Sequence, residues 1–188
     1  MRKVICIILL GVLCATFVSC GNTVEEYNQK LYEFQILSLS GGAKAESVGN
    51  MIKSIWYNTI YEVMDVKTIL YTHPNGEVND DFNTSLALYF SSDEYLKAKK
   101  YIEDNLKDVD KAYLELAKYP EDCEEGYKII ATLYEQYEKL VNLALNPSGS
   151  LQTYSEAFNT ADTEYMNAFR KLERYFEAVG FEPKIITE

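Results

Sequence analysis

Few side chains in this sequence have the type and spacing that chemistry needs. His73 is the only histidine, and Pro74 follows it, which reads as loop. One imidazole gives no pair for zinc, and no Glu-x-x-His repeat is present for a di-iron centre. Asn75, Glu77, Asn79, Asp80 and Asp81 put several oxygen ligands into one stretch. Calcium favours such ligands, but the spacing is not that of an EF-hand, and a solvated polar loop is the expectation. No Gly-x-Ser-x-Gly, phosphate-binding loop or dinucleotide fingerprint occurs. Neither a catalytic residue nor a metal or cofactor is assigned. Cys123 lies in Glu121-Asp122-Cys123-Glu124-Glu125, where the carboxylates disfavour a thiolate. That leaves Cys20 as the one residue whose chemistry is nameable.

Cys20 follows a segment with three marks of a secretory leader. Arg2 and Lys3 form a basic start. Residues 4–18 are apolar except for Gly11 and Thr16, and Ser19 is the small residue before the cut. About fifteen apolar residues fall short of the roughly twenty that span a bilayer. The run Phe17-Val18-Ser19-Cys20 resembles the bacterial lipoprotein signal, or lipobox, with phenylalanine where leucine is commoner. The resemblance covers about twenty residues. It implies a leader over 1–19, diacylglycerol on the Cys20 sulfur, and cleavage before Cys20. The mature chain would then be held by lipid on the outer side of a cell membrane or outer membrane.

Composition narrows the partners. The formal charge is −11, and loss of Arg2 and Lys3 with the leader makes the mature chain more acidic. That argues against nucleic acid, whose phosphates need Lys and Arg. With Cys6 and Cys14 removed and Cys20 acylated, Cys123 has no cysteine to pair with inside the mature chain. Packing alone must hold the fold.

Hydrophobic spacing is helical almost throughout. Leu151, Tyr154, Phe158, Ala161, Tyr165, Ala168, Leu172, Tyr175 and Val179 make one stripe, closed by Gly180 and Pro183. Tyr127, Ile130, Tyr134, Tyr137, Val141 and Ala144 make another, after Pro120 and four acidic residues. Ser91-Ser92-Asp93-Glu94 reads as a capping box for a helix ending near Lys118. Upstream, Val48, Ile52, Ile55, Thr59, Val63, Val66 and Leu70 predict a helix over 43–71. Residues 24–39 are also helical, with Gly41-Gly42 as a hinge or only a weak point in one long helix, and the stripe, resuming without a long loop, favours continuity.

The expected fold is all-α: an elongated antiparallel bundle of about four long helices with an N-terminal helical extension. The bundle domain spans 43–182, after a lipid-anchored segment over 20–42. Sixteen tyrosines mostly follow the stripes. They are expected at the edges of the core with hydroxyls reaching water, or else gathered in an aromatic groove. The build is similar to that of small helical lipoproteins of bacterial envelopes. It implies a non-enzymatic interaction module for an envelope protein or peptide, or alternatively a carrier or sensor for an apolar or aromatic molecule.

Overall fold

The computed structural model describes residues 18–184, with side chains from residue 23 onward. Residues 1–17 of the leader, and the side chain of Cys20 with its proposed acylation, lie outside what is described. The described residues form six α-helices and no strand. They are α1 (Val18–Ile60), α2 (Ile69–Thr72), α3 (Phe82–Phe90), α4 (Asp93–Leu116), α5 (Glu124–Leu145) and α6 (Leu151–Val179). A 3-10 turn, Glu121–Cys123, precedes α5.

The three later long helices start and stop where local chemistry directs. Ser92 caps α4 by accepting from the Tyr95 N–H at 3.2 Å. The box expected from Ser91 and Glu94 therefore does not form: the cap lies one residue later, and Glu94 instead accepts from the Tyr71 hydroxyl. A reciprocal box does form at α6, between Ser150 and Thr153, with threonine in the place where glutamate is usual. Gly180 ends α6 in the left-handed region at φ 67°, which a residue without Cβ enters at no steric cost.

Helix α1 is continuous through the glycines, as the unbroken stripe favoured, and departs from expectation where it stops. It runs through Gly41 and Gly42 without a break, so the boundary expected at residue 42 is not a discontinuity. Tyr27, Leu31 and Phe34 are at most 5% exposed and belong to the same core as Ile52 and Ile55. The predicted N-terminal extension is thus part of the packed body. The glycines are where neighbouring side chains press on the α1 backbone. A Cβ on Gly41 would stand 2.6 Å from the Tyr137 hydroxyl, and one on Gly49 2.1 Å from the Phe158 ring.

At its other end α1 stops at Ile60, eleven residues before the predicted limit of 71. Val63 N–H reaches back to the Asn58 carbonyl at 2.9 Å. Glu62 adopts φ 53°, the one non-glycine positive φ among the described residues. This is a Schellman ending with glutamate where glycine is favoured. Val63, Val66 and Leu70, placed by periodicity on the buried stripe, are exposed instead.

Cross-helix hydrogen bonds give the directions. Tyr27 donates to the Leu116 carbonyl at 2.9 Å, and Asn105 to the Leu37 carbonyl at 3.1 Å. Numbers rise along α1 as they fall along α4, so this pair is antiparallel. Tyr175 to Asn28 and Gln35 to the Phe169 carbonyl show the same for α1 and α6. These ties correct the expectation for the tyrosines. Tyr89, Tyr137, Tyr154 and Tyr165 are almost fully buried. The Tyr137 hydroxyl donates to Asn105 at 2.6 Å and that of Tyr154 to the Leu143 carbonyl at 3.2 Å. The hydroxyls of Tyr137, Tyr154 and Tyr165 thus meet protein, the last through Ser38 Oγ, as a buried phenol requires.

Candidate interaction surface

The ending at Glu62 turns a row of apolar side chains outward. Tyr57, Ile60, Tyr61, Val63, Met64, Val66 and Leu70 are all more than a third exposed, and Val66 reaches 86%. They are seven of the fourteen large apolar side chains exposed on the described surface. The rest are scattered along the chain, so this stretch is the concentrated one. Isolated exposed apolar residues are ordinary, whereas a contiguous patch marks a place of contact. The rings of Tyr57 and Tyr61 stack obliquely, with centroids 4.5 Å apart.

Buried polar groups hold this tip from beneath. Asn58 donates to Thr68 Oγ1 at 2.8 Å, and Thr59 to Ser85 Oγ at 2.8 Å. Asn79 donates to Ser85 Oγ at 2.9 Å and to the Tyr71 carbonyl at 2.7 Å. Asp65 accepts from the Lys67 N–H, which folds residues 65–68 into the start of α2. Each buried bond left unmade would cost about 1–3 kcal/mol, so the loop is fixed rather than draped. Glu62 works against this economy. A non-glycine residue in the left-handed region costs about 1–2 kcal/mol, and its carboxylate lies at the negative end of the α1 dipole. Glu62→Gly is therefore expected to raise the unfolding free energy by about 1 kcal/mol in urea denaturation. An unchanged midpoint would show that the strain is absent.

A groove of about 280 Å³ runs beside the tip, lined by Lys53, Ser54, Tyr57, Asn58, Asp65 and Leu151. Lys53 donates to Asn159 at 2.7 Å and lies 4.9 Å from the Phe158 ring centroid. Burial lowers its ammonium pKa, opposed by the nearby Asp162 and Glu46 carboxylates. Tyr71 has its phenol pKa raised, first by burial, opposed by the Ser92 hydroxyl and helped by Glu94.

The residues singled out from sequence do not converge here. His73 is buried, its Nδ1 2.8 Å from Thr72 Oγ1, and it serves the end of α2. Within the polar loop, Asn79 is spent on the internal network and Asp81 caps α3. No group of three metal-ligating side chains gathers among the described residues. Cys123 is fully buried at the opposite end of the body, near the start of α5. The tip itself was missed because its residues continue a helical stripe. One signal was present. Tyr57, Ile60, Tyr61 and Met64 form a second stripe beside Ile55, Thr59 and Val63. A helix apolar on most of its circumference must be buried all round or interrupted.

No helix among the described residues is long and apolar enough to cross a membrane. No protein-family model matches the chain, and no curated protein or solved structure matches it.

Proposed function

We propose that this chain is a lipid-anchored, non-enzymatic interaction module of a bacterial cell envelope. In this reading α1, α4, α5 and α6 form an elongated antiparallel bundle, tied by diacylglycerol on Cys20 to the extracytoplasmic face of a membrane. The tip at residues 57–70 takes an envelope protein or peptide as partner. One observation carries the proposal: an apolar surface is held outward by a buried polar network and a strained Glu62, where a simpler loop could have hidden it. Backbone strain that persists at an exposed site is a mark of function. Geometry suits the role, because residues 20 to 60 of one helix rise about 60 Å, at about 1.5 Å per residue. The tip then stands well clear of the lipid.

Two experiments test the halves separately. Cys20→Ser is expected to abolish incorporation of labelled palmitate, and undiminished label would end the anchoring reading. The triple variant Met64→Ser, Val66→Ser, Leu70→Ser removes only exposed groups. It is expected to hold its melting temperature within about 5 °C, since such surface changes stay near ±0.5 kcal/mol each. Crosslinking in native membranes should lose the specific adducts formed by the parent protein. Adducts of unchanged identity and yield would dismiss the tip as the contact surface.

A further inference from the structure

A second surface feature lies between α1 and α4, away from the tip. It is a groove of about 580 Å³, within the range of small-molecule sites. Val48, Met51 and Ala98 give it an apolar floor, with the buried Tyr89 at one side and the half-exposed Tyr101 at the other. Lys44 from α1 and Lys97 from α4 stand at its rim, and the Lys44 ammonium lies 6.0 Å from the Tyr101 ring centroid.

The lining of this groove carries more cations than acids. The protein carries a formal −11, and lysines 99, 100, 107, 128, 139 and 184 all sit in ion pairs. Among the described residues Lys44 and Lys97, like Lys30, Lys53, Lys67, Lys111 and Lys118, form no ion pair, and these two share one groove with a single acid. The single acid of the groove, Glu94, accepts a hydrogen bond from the Tyr71 hydroxyl at 3.1 Å. Two cations and one engaged anion over an apolar floor leave a net positive rim. An acidic protein repels anions in general, so a local reversal of sign selects for them.

We propose that this groove binds an amphipathic carboxylate, a single anionic head on an apolar body. The head lies between Lys44 and Lys97, and the body covers Val48, Met51 and Ala98. An aliphatic or aromatic body fits the floor beside the Tyr101 ring. The site is independent of the proposed partner surface at the tip and stands or falls without it.

The test uses decanoate as probe, with decanol for the body alone and acetate for the head alone. Amide chemical-shift mapping on the full mature chain should place decanoate at residues 44–51 and 94–101. Decanoate should bind more tightly than either control. The double variant Lys44→Gln, Lys97→Gln should weaken decanoate about tenfold, the sum of two modest surface ion pairs, and leave decanol unchanged. Three results would overturn the proposal. They are shifts confined to residues 57–70, equal affinity for decanoate and decanol, and unchanged decanoate affinity in the double variant. The comparison of probes on the parent protein decides the matter even where the variant folds poorly.

Discussion

Raising the pH from 10 to 12 is expected to unfold the protein cooperatively, with phenolate absorbance and loss of helical circular dichroism rising together. Tyr165 is 1% exposed, and burial, helped by Asp162 and opposed by the Ser38 hydroxyl, pushes its phenol up to about 12. Tyr175 is likewise pushed up to about 12, first by burial and then by Cys123 and Glu125. Burial raises Tyr27, Tyr89, Tyr137 and Tyr154 as well. In the unfolded chain each phenol ionises near 10. Above that pH the unfolded state binds fewer protons than the folded one, so stability falls as pH rises. The contribution is complete below about pH 10 and is lost through the folded values. Two units on Tyr165 alone amount to about 3 kcal/mol. Against a typical total of about 5–15 kcal/mol, a few such groups suffice. Smooth ionisation of all sixteen tyrosines near pH 10, with helicity intact at pH 12, would mean that they are not buried as described.

Gly49→Leu is expected to destabilise the fold by about 2 kcal/mol. The position is mid-helix in α1, and in a helix free of neighbours replacing glycine by leucine stabilises by roughly 1 kcal/mol. The sign therefore reports packing. Here a Cβ would lie 2.1 Å from Phe158 Cε2 and Cζ, closer than atoms approach. Phe158 is itself 1% exposed and held from the far side by the core, so the ring has little room to yield. Overpacking of this kind costs about 1–3 kcal/mol for a few methylenes. Urea denaturation of Gly49→Leu, Phe158→Ala and the double variant makes the contact measurable. The double should recover at least about 1 kcal/mol of the summed loss, as coupled neighbours do. Strict additivity, or a stabilised single variant, would place Phe158 elsewhere. The same reasoning applies to Gly41 against Asn105 and Tyr137. This helix has small residues where a weak point was expected because the neighbouring aromatic side chains come nearly to its backbone.

Some of this architecture was readable in the residues. Helices α4 and α6 carry a clean stripe between a capping serine and a stop, and α5 one that follows a 3-10 turn after Pro120; each appears close to its expected span. Local signals and tertiary packing agree there. The end of α1 was not readable. Its stripe continues past Ile60 through Val63, Val66 and Leu70, and Glu62 is not a residue that announces a left-handed turn. The stop is stabilised by contacts distant in sequence: Asn58 with Thr68, and Thr59 with Ser85. Likewise, periodicity places Tyr137 and Tyr154 on an inward face, yet it carries no information on whether a hydroxyl finds water or a partner. Asn105, which accepts from Tyr137 and donates to α1, drew no notice as a lone polar residue within a helix.

The same division holds for the candidate sites. Cys20 stands out by the resemblance of the residues before it to an export signal, a kind of signal read as a linear string before any folding. Neither surface feature of the folded body is linear. The groove joins Lys44 to Lys97, residues brought together only by antiparallel packing of α1 on α4. The tip is apolar by sequence but exposed by geometry. By itself the chain determined that it would be helical, acidic and built of long amphipathic segments, because those properties are set by spacing within a few turns. Tertiary structure decided where α1 stops, which glycines are pressed by rings, which tyrosines are dry and which apolar residues face out. Each of those depends on atoms tens of residues away, and a one-dimensional period does not encode them.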